Sequence, residues 1–178
     1  PGTGKSVIAI NLLAHLTRMG QVAAYVSKNR APREVYAAEL KGTRTKKSID
    51  ALFKGSGMFT ETDTGVYDTL LIDEAHRLNE KSGLYQNQGE NQVKELINAA
   101  RCSIFFIDES QQVTVSDIGT AGEIKRWAEH FGAEIHTDIL DSQFRCNGSD
   151  GYLAWLDNTL GIRQTANWNL EGIDYDIK

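Results

Sequence analysis

The sequence predicts an α/β domain, a three-layer α/β/α sandwich around a mainly parallel sheet. Short apolar segments alternate along the chain with helical patterns, and this alternation is typical of parallel sheets. Two of the apolar segments end in acidic residues, at Asp73 and Asp108. The chain opens on a glycine-containing hexapeptide followed by an apolar helical segment. Together these observations favour a sheet whose carboxyl-terminal strand ends carry polar side chains.

Composition limits the class of protein. At 178 residues the chain has the size of one domain with a buried core. Its hydrophobic share of 40% and charged share of 24% are ordinary for a soluble globular protein. No apolar run approaches the roughly 20 residues of a membrane span. The two cysteines, Cys102 and Cys146, lack zinc-binding spacing and suit a reducing cytosol. We therefore predict one cytoplasmic domain over residues 1–178, with Cys102 in its core.

Hydrophobic periodicity and turn residues place the elements in order. We expect Gly20 to end the first helix, Pro32 to occupy the first position of the second, and Ser149 to cap the last. Residues 55–66 and 79–91 are predicted to be loops. The predicted helices cover residues 7–16, 32–41, 48–53, 92–100, 122–131 and 149–160. The predicted strands cover residues 22–26, 67–72, 103–107 and 134–140.

The opening hexapeptide, Pro1-Gly2-Thr3-Gly4-Lys5-Ser6, matches the end of the phosphate-binding loop G-x-x-x-x-G-K-[ST]. In such loops glycines let backbone N–H groups close around a phosphate, the lysine reaches the β- and γ-phosphates, and the serine hydroxyl ligates Mg²⁺. The following helix points the positive end of its dipole at the same anion. The alternative is a glycine turn that only caps a helix. The predicted ligands are ATP and Mg²⁺, and the residues expected to hold the nucleotide are Gly2, Thr3, Gly4, Lys5, Ser6 and Val7.

The position of this loop also bears on the parent protein. A phosphate loop follows a buried strand, and the chain begins inside the loop. Residues 173–178 resemble the entry to a further strand. We therefore expect a domain cut at both ends from a longer enzyme.

Two acids follow the apolar strand Leu70-Leu71-Ile72. In a parallel sheet this places Asp73 and Glu74 at the edge where ligands bind. Asp73 is expected to hold Mg²⁺, directly or through water, and Glu74 to act as general base on the attacking water. The alternative is a strand that happens to end in two acids, although the spacing of about 67 residues from the phosphate loop favours the catalytic interpretation.

Polar residues follow two later strands. Gln111 lies after the strand that ends at Asp108, where a neutral amide can contact a γ-phosphate or orient water. Arg145 lies after the strand predicted over residues 134–140, where a guanidinium can bind phosphate and stabilise transition-state charge. The alternatives are a polar loop for Gln111 and a structural salt bridge for Arg145.

Charge is unevenly distributed along the chain. The net charge of −5 argues against a general nucleic-acid-binding protein. Residues 28–47, however, hold seven basic and two acidic residues, which leaves the rest of the chain at −10. This basic segment indicates either a path for a polyanion or a solvated helix face.

In this order the motifs resemble the first motor domain of superfamily 1 DNA/RNA helicases. Residues 1–6 resemble motif I, 27–35 motif Ia, 73–76 motif II, 108–111 motif III and 140–145 the N-Y-R segment of motif IV. The chain is identified as a member of the bacterial Schlafen group 3-like DNA/RNA helicase family. The runs that carry this likeness are D-E-A-H-R-L, F-F-I-D-E-x-Q-Q and Q-F-R-C-N-G-S-D-G-Y-x-x-W-L-D.

The resemblance implies a RecA-like P-loop NTPase that hydrolyses ATP with Mg²⁺ and acts on DNA or RNA, with single strands as the expected form. It also implies a second motor domain in the parent chain. By the same resemblance, the residues that contact the strand backbone would be Ser27, Lys28, Asn29 and Arg30. The alternative functions are an ATP-dependent switch that binds a protein partner without unwinding, and a pseudo-enzyme that only binds nucleotide.

Overall fold

The computed structural model describes residues 4–83, 87–108, 111, 114, 116–140, 159 and 164. Residues 6–137 form one compact unit. Residues 1–5 and 138–178 form a second unit, of which few residues are described. Gly2, Thr3 and Arg145 lie outside the described residues, as does the predicted helix at 149–160 apart from Thr159. No helix in the described ranges is long and apolar enough to cross a membrane.

Four parallel strands form the sheet of the larger unit. The strands are β1 (Ala23–Ser27), β2 (Phe53–Lys54), β3 (Tyr67–Asp73) and β4 (Ala100–Phe105). Their order across the sheet is β2-β1-β3-β4, so β3 pairs on both sides. In the β1–β3 register Tyr25 lies opposite Leu71 and Ser27 lies opposite Asp73. This parallel sheet with helices confirms the predicted α/β class.

Helices connect the strands and cover both faces of the sheet. They are α1 (Lys5–Arg18), α2 (Arg30–Glu39), α3 (Lys46–Leu52), α4 (Gln92–Ala99) and α5 (Ala121–His130). Side-chain caps begin three of them. Thr45, Asn91 and Thr120 each accept a hydrogen bond from the backbone N–H three residues later, which satisfies a donor that the first helical turn leaves unpaired.

Two apolar clusters lie on opposite faces of the sheet because side chains alternate along each strand. On one face Ala9 and Leu13 of α1 pack against Tyr25 and Leu71. On the other face Ile72 packs with a cluster that includes Leu96 of α4. Asp73 lies two residues after Leu71, so its side chain belongs to the face that α1 covers.

The junction of α4 and α5 is held by a carboxylate with several donors. Glu123 accepts hydrogen bonds from Asn91 at 2.9 Å and Trp127 at 2.8 Å, and it pairs with Arg126. Burial acts to raise the pKa of Glu123, but the hydrogen bonds from Arg126, Trp127 and Asn91 outweigh it and hold that pKa below its usual value. Glu123 therefore stabilises the folded state as a carboxylate.

Several sequence-based expectations were wrong in detail. The strand predicted over residues 134–140 is not a strand: its residues are exposed, and Ile139 is 81% accessible, so the burial that stabilises a strand is missing. Cys102 is exposed within β4 and not in the core. The second helix begins at Arg30, two residues before Pro32. The two-residue strand β2 was not predicted, because its pairing depends on β1 and not on its own pattern.

Candidate functional site

The predicted phosphate loop leads directly into α1. Gly4 has φ +77°, a left-handed conformation that favours glycine. Lys5 and Ser6 form the first helical positions, followed by Val7, which is exposed. The backbone N–H groups of this first turn have no partner within the helix and can bind an anion. Among the described residues, Gly4 and the start of α1 therefore supply a left-handed glycine next to a helix N-terminus.

Asp73 ends the central strand as a buried carboxylate. It is 2% exposed, and its Oδ2 accepts a 2.7 Å hydrogen bond from the Tyr25 hydroxyl. Its Oδ1 accepts from the backbone N–H of Glu74 at 3.0 Å. Burial and the hydrogen bond to Asp73 raise the pKa of Tyr25 well above its usual range, so the phenol stays protonated and donates. Within residues 6–137, no described lysine, arginine or histidine forms a salt bridge with Asp73.

Glu74 follows at a sharp change of chain direction. Its φ of 53° and ψ of 39° are left-handed, and it is the one non-glycine residue with positive φ in the described part of the chain. The chain turns there from β3 into a short 3₁₀ turn, Ala75–Arg77. The Glu74 side chain remains 30% exposed. The two neighbouring acids thus differ: one is buried at the strand end and the other is accessible.

His76 connects Glu74 to the end of β4. Its Nδ1 accepts a hydrogen bond from the backbone N–H of Asp108 at 3.3 Å. A neutral imidazole that accepts at Nδ1 carries its proton on Nε2. That Nε2 lies 3.3 Å from Oε2 of Glu74. His76 can therefore donate to the Glu74 carboxylate and restrict its orientation.

Gln111 joins the same group through Asp108. Its amide Nε2 donates to Asp108 Oδ2 at 2.7 Å, and its backbone N–H donates to the Asp108 carbonyl at 3.0 Å. The ends of β3 and β4 are also tied by two backbone bonds, Phe106 N–H to Ile72 O and Ala75 N–H to Phe106 O. Glu74, His76, Asp108 and Gln111 consequently form one hydrogen-bonded series at the sheet edge.

The predicted nucleic-acid residues begin at Ser27, the last residue of β1, which lies opposite Asp73 in the strand register. Ser27 is buried and accepts from the Asn29 backbone N–H at 3.3 Å. Lys28 donates to Asn79 at 2.8 Å and lies 3.5 Å from the buried carboxylate of Asp117.

Arg30 is exposed and pairs with Glu34 at 2.6 Å. Both cations of the predicted Ser27–Arg30 segment are therefore engaged within the protein.

Sequence reasoning missed the parts played by Tyr25, by the imidazole of His76, and by the Asn79–Asp117 pair that holds Lys28. Only the contact of Tyr25 could have been expected from the sequence. Tyr25 lies in a short, mostly apolar, buried strand, and a buried tyrosine hydroxyl usually requires a hydrogen-bond partner. The other contacts join residues 51 or more positions apart, or depend on which ring nitrogen carries the proton.

The family model described as Schlafen group 3, DNA/RNA helicase domain, matches residues 1–178. The chain belongs to this family. Searches of curated proteins and of solved structures found no match. Membership in the Schlafen group 3 helicase family confirms the resemblance expected from the motifs, and it indicates a helicase-like domain with a general link to nucleotides and nucleic acids.

Proposed function

We propose that this domain binds ATP with Mg²⁺ and hydrolyses it, and that hydrolysis serves an action on DNA or RNA. The observation that carries the proposal is the placement of Asp73 and Glu74. Asp73 ends the interior strand β3 and Glu74 follows it, and Asp73 belongs to the face covered by α1, the helix that begins at Lys5. Parallel α/β folds bind ligands at this edge of the sheet.

The residues present fit a magnesium ion. A buried carboxylate is costly unless a positive partner offsets its charge, and the described partners of Asp73 are a hydroxyl and a backbone N–H. Mg²⁺ in nucleotide sites typically takes one or two protein ligands together with phosphate oxygens and waters. Asp73 and the Ser6 hydroxyl would be those protein ligands.

The chain's own groups would divide the chemistry. Lys5 and the first N–H groups of α1 would bind the phosphates, while bound Mg²⁺ would offset the charge on their oxygens. Glu74, the accessible acid, would accept the proton of the attacking water. His76, with its proton on Nε2, would hold the Glu74 carboxylate in one orientation. Gln111 and Arg145 would contact the γ-phosphate.

Hydrolysis tests this assignment in the full-length protein. Glu74→Gln is expected to lower the turnover of ATP at least about 100-fold, since a positioned general base contributes that much or more. Binding of ATP should persist in this variant and be lost in Lys5→Ala. Glu80→Gln is the matched control, because Glu80 is an exposed acid in the same loop. Hydrolysis by Glu74→Gln at the rate of the control would remove Glu74 from the role of base.

Two surfaces compete for the nucleic acid. The Ser27–Arg30 segment lies at the site's edge of the sheet, but Lys28 and Arg30 are paired. The turn between α2 and α3 and the first turn of α3, which together we call the basic turn, carry four exposed cations, and none of them forms a salt bridge to a described acid. They are Lys41, Arg44, Lys46 and Lys47.

The basic turn lies near the opposite edge of the sheet. Arg44 shares a groove of about 350 Å³ with Val22 and Tyr67, which lie at the amino-terminal ends of β1 and β3. The two surfaces can therefore be separated by mutation without changing the nucleotide site.

Charge reversal of each surface, in separate variants, distinguishes them. If the nucleic acid binds along the Ser27–Arg30 segment, Arg30→Glu should weaken the salt-dependent binding of single-stranded DNA or RNA. If it binds along the basic turn, Lys46→Glu should weaken that binding instead. ATP hydrolysis that depends on Lys5 but ignores both polymers would favour the ATP-dependent switch. The existing pairing of Lys28 and Arg30 is the observation that keeps this second function open.

A further inference from the structure

Tyr25 is a buried hydroxyl on β1 that points to the acid at the end of the neighbouring strand. In the register it pairs with Leu71, two residues before Asp73, yet its ring reaches along the strand direction to place the hydroxyl 2.7 Å from Asp73 Oδ2. The side chain is fully buried. This contact joins the side chains of residues 48 positions apart and involves no backbone atom. It therefore depends on the pairing of β1 with β3 and not on local chain geometry.

The aromatic ring that carries this hydroxyl is held on two sides. Tyr36 of α2 and Phe53 of β2 meet the Tyr25 ring edge-on, with ring centroids 5.7 and 5.9 Å away. Such edge-to-face contacts between aromatic rings are favourable beyond burial alone. The ring therefore has little freedom to rotate, and the position of its hydroxyl is set by the packing of three elements.

The hydrogen bonds at Asp73 leave part of the carboxylate available. Each carboxylate oxygen can accept about two hydrogen bonds or metal contacts. Tyr25 uses one position on Oδ2, and the Glu74 N–H uses one on Oδ1. The remaining position on each oxygen is oriented by those two donors. Groups that orient metal-binding carboxylates in this way typically change metal affinity by about 10–100-fold when they are removed.

We propose that Tyr25 is a positioning residue that orients the Asp73 carboxylate for Mg²⁺ and so sets how strongly the metal enhances nucleotide binding. The role concerns the metal of the proposed ATP site and rests on that proposed function. This role extends the proposed function because Tyr25 lies on β1, outside every motif that the sequence indicated for the nucleotide site. Tyr25 would not touch ATP, and its contribution would pass through Asp73 alone.

The test compares nucleotide affinity with and without metal in the full-length protein. A fluorescent ATP analogue is titrated in excess Mg²⁺ and in EDTA, and the ratio of the two affinities measures the metal's contribution. Tyr25→Phe, which removes one oxygen, is expected to lower this ratio about tenfold and to leave the EDTA affinity unchanged. Tyr36→Phe is the matched control. It removes a hydroxyl from the same aromatic cluster, with no described hydrogen bond to Asp73, and should keep the wild-type ratio.

The outcomes separate this role from the proposed function. Suppose that Mg²⁺ enhances nucleotide binding equally in the wild-type protein and in Tyr25→Phe. That result would overturn the positioning role and leave ATP binding in place. Loss of stability with an unchanged ratio would show a purely structural hydroxyl and overturn it equally. A wild-type protein that binds no nucleotide would end both proposals. If Tyr25→Phe does not fold, Tyr25→4-fluorophenylalanine fills the hydroxyl's volume without donating, and a wild-type ratio there would also overturn the role.

Discussion

Gly119 lies where the segment before α5 crosses the turn that follows Glu74. A Cβ at this position would be 1.6 Å from the carbonyl oxygen of Ala75, 2.6 Å from its carbonyl carbon and 3.0 Å from the Cα of His76. All three are backbone atoms, so no side chain can rotate away. We predict that Gly119→Ala strongly destabilises the protein.

The size of the effect follows from what must move. To reach the 3.0 Å that real Cβ atoms respect, the two segments must separate by about 1.4 Å. Hydrogen bonds oppose this movement: Ile118 N–H donates to Leu78 O at 2.7 Å, and Ala75 N–H donates to Phe106 O at 3.0 Å. Loss of two such bonds costs about 2 kcal/mol, and overpacking adds about 1–3 kcal/mol. The expected loss is therefore about 3–5 kcal/mol.

Urea denaturation of the full-length protein measures this loss, with Gly122→Ala as the matched control. Gly122 lies in the first turn of α5, and a Cβ there would meet nothing closer than Thr120 Oγ1 at 3.9 Å. Alanine favours a helix over glycine by about 1 kcal/mol, so the control should be unchanged or slightly stabilised. A Gly119→Ala variant within 1 kcal/mol of wild type, or two variants that shift alike, would refute the close-approach reasoning.

Three further substitutions have defined outcomes. Glu123→Gln should lower the free energy of unfolding by about 1 kcal/mol at pH 7. The pKa of Glu123 is lower in the folded protein than in the unfolded chain, so the stability difference between the two proteins should be fully present above the unfolded pKa of about 4.3. It should vanish as the pH falls through the folded pKa. A difference in the free energy of unfolding that persists at pH 2 would contradict this prediction. Leu96→Ala should cost about 2–5 kcal/mol, since Leu96 is fully buried, and a loss under 1 kcal/mol in urea would argue against its place in the core. His76→Phe should lower kcat for ATP about tenfold with little change in KM, and an unchanged kcat would remove His76 from the orientation of Glu74.

The parts of the structure that sequence predicted are those with local signals. An apolar run followed by two acids is sufficient to place β3 and to put Asp73 and Glu74 at its end. The first helix, α4 and α5 also lie where apolar periodicity predicted helices, within a few residues at each end. Each of these features depends on residues within a few positions of one another.

The parts that sequence did not predict depend on distant partners. The strand expected over residues 134–140 contains Ile135, Ile139 and Leu140 but lacks the burial that would hold it. From the sequence, Lys28 was expected to contact the backbone of a nucleic-acid strand. In the fold, Asn79 and Asp117 lie against its ammonium group. The hydrogen bond from Tyr25 to Asp73 requires the β1–β3 register, which no local pattern encodes. Tertiary context, not propensity, decides such features.

The left-handed backbone of Glu74 has a consequence for how this chain can evolve. A side chain with a Cβ costs about 1–2 kcal/mol in that conformation, and glycine or asparagine adopts it at lower cost. Selection for abundance or heat resistance alone would therefore favour replacing the proposed catalytic base. Selection for the chemistry of the proposed base would offset this conformational cost. In relatives that have lost hydrolysis, position 74 should be among the first to drift toward glycine or asparagine, with Asp73 changing later because its buried hydrogen bonds also support the fold.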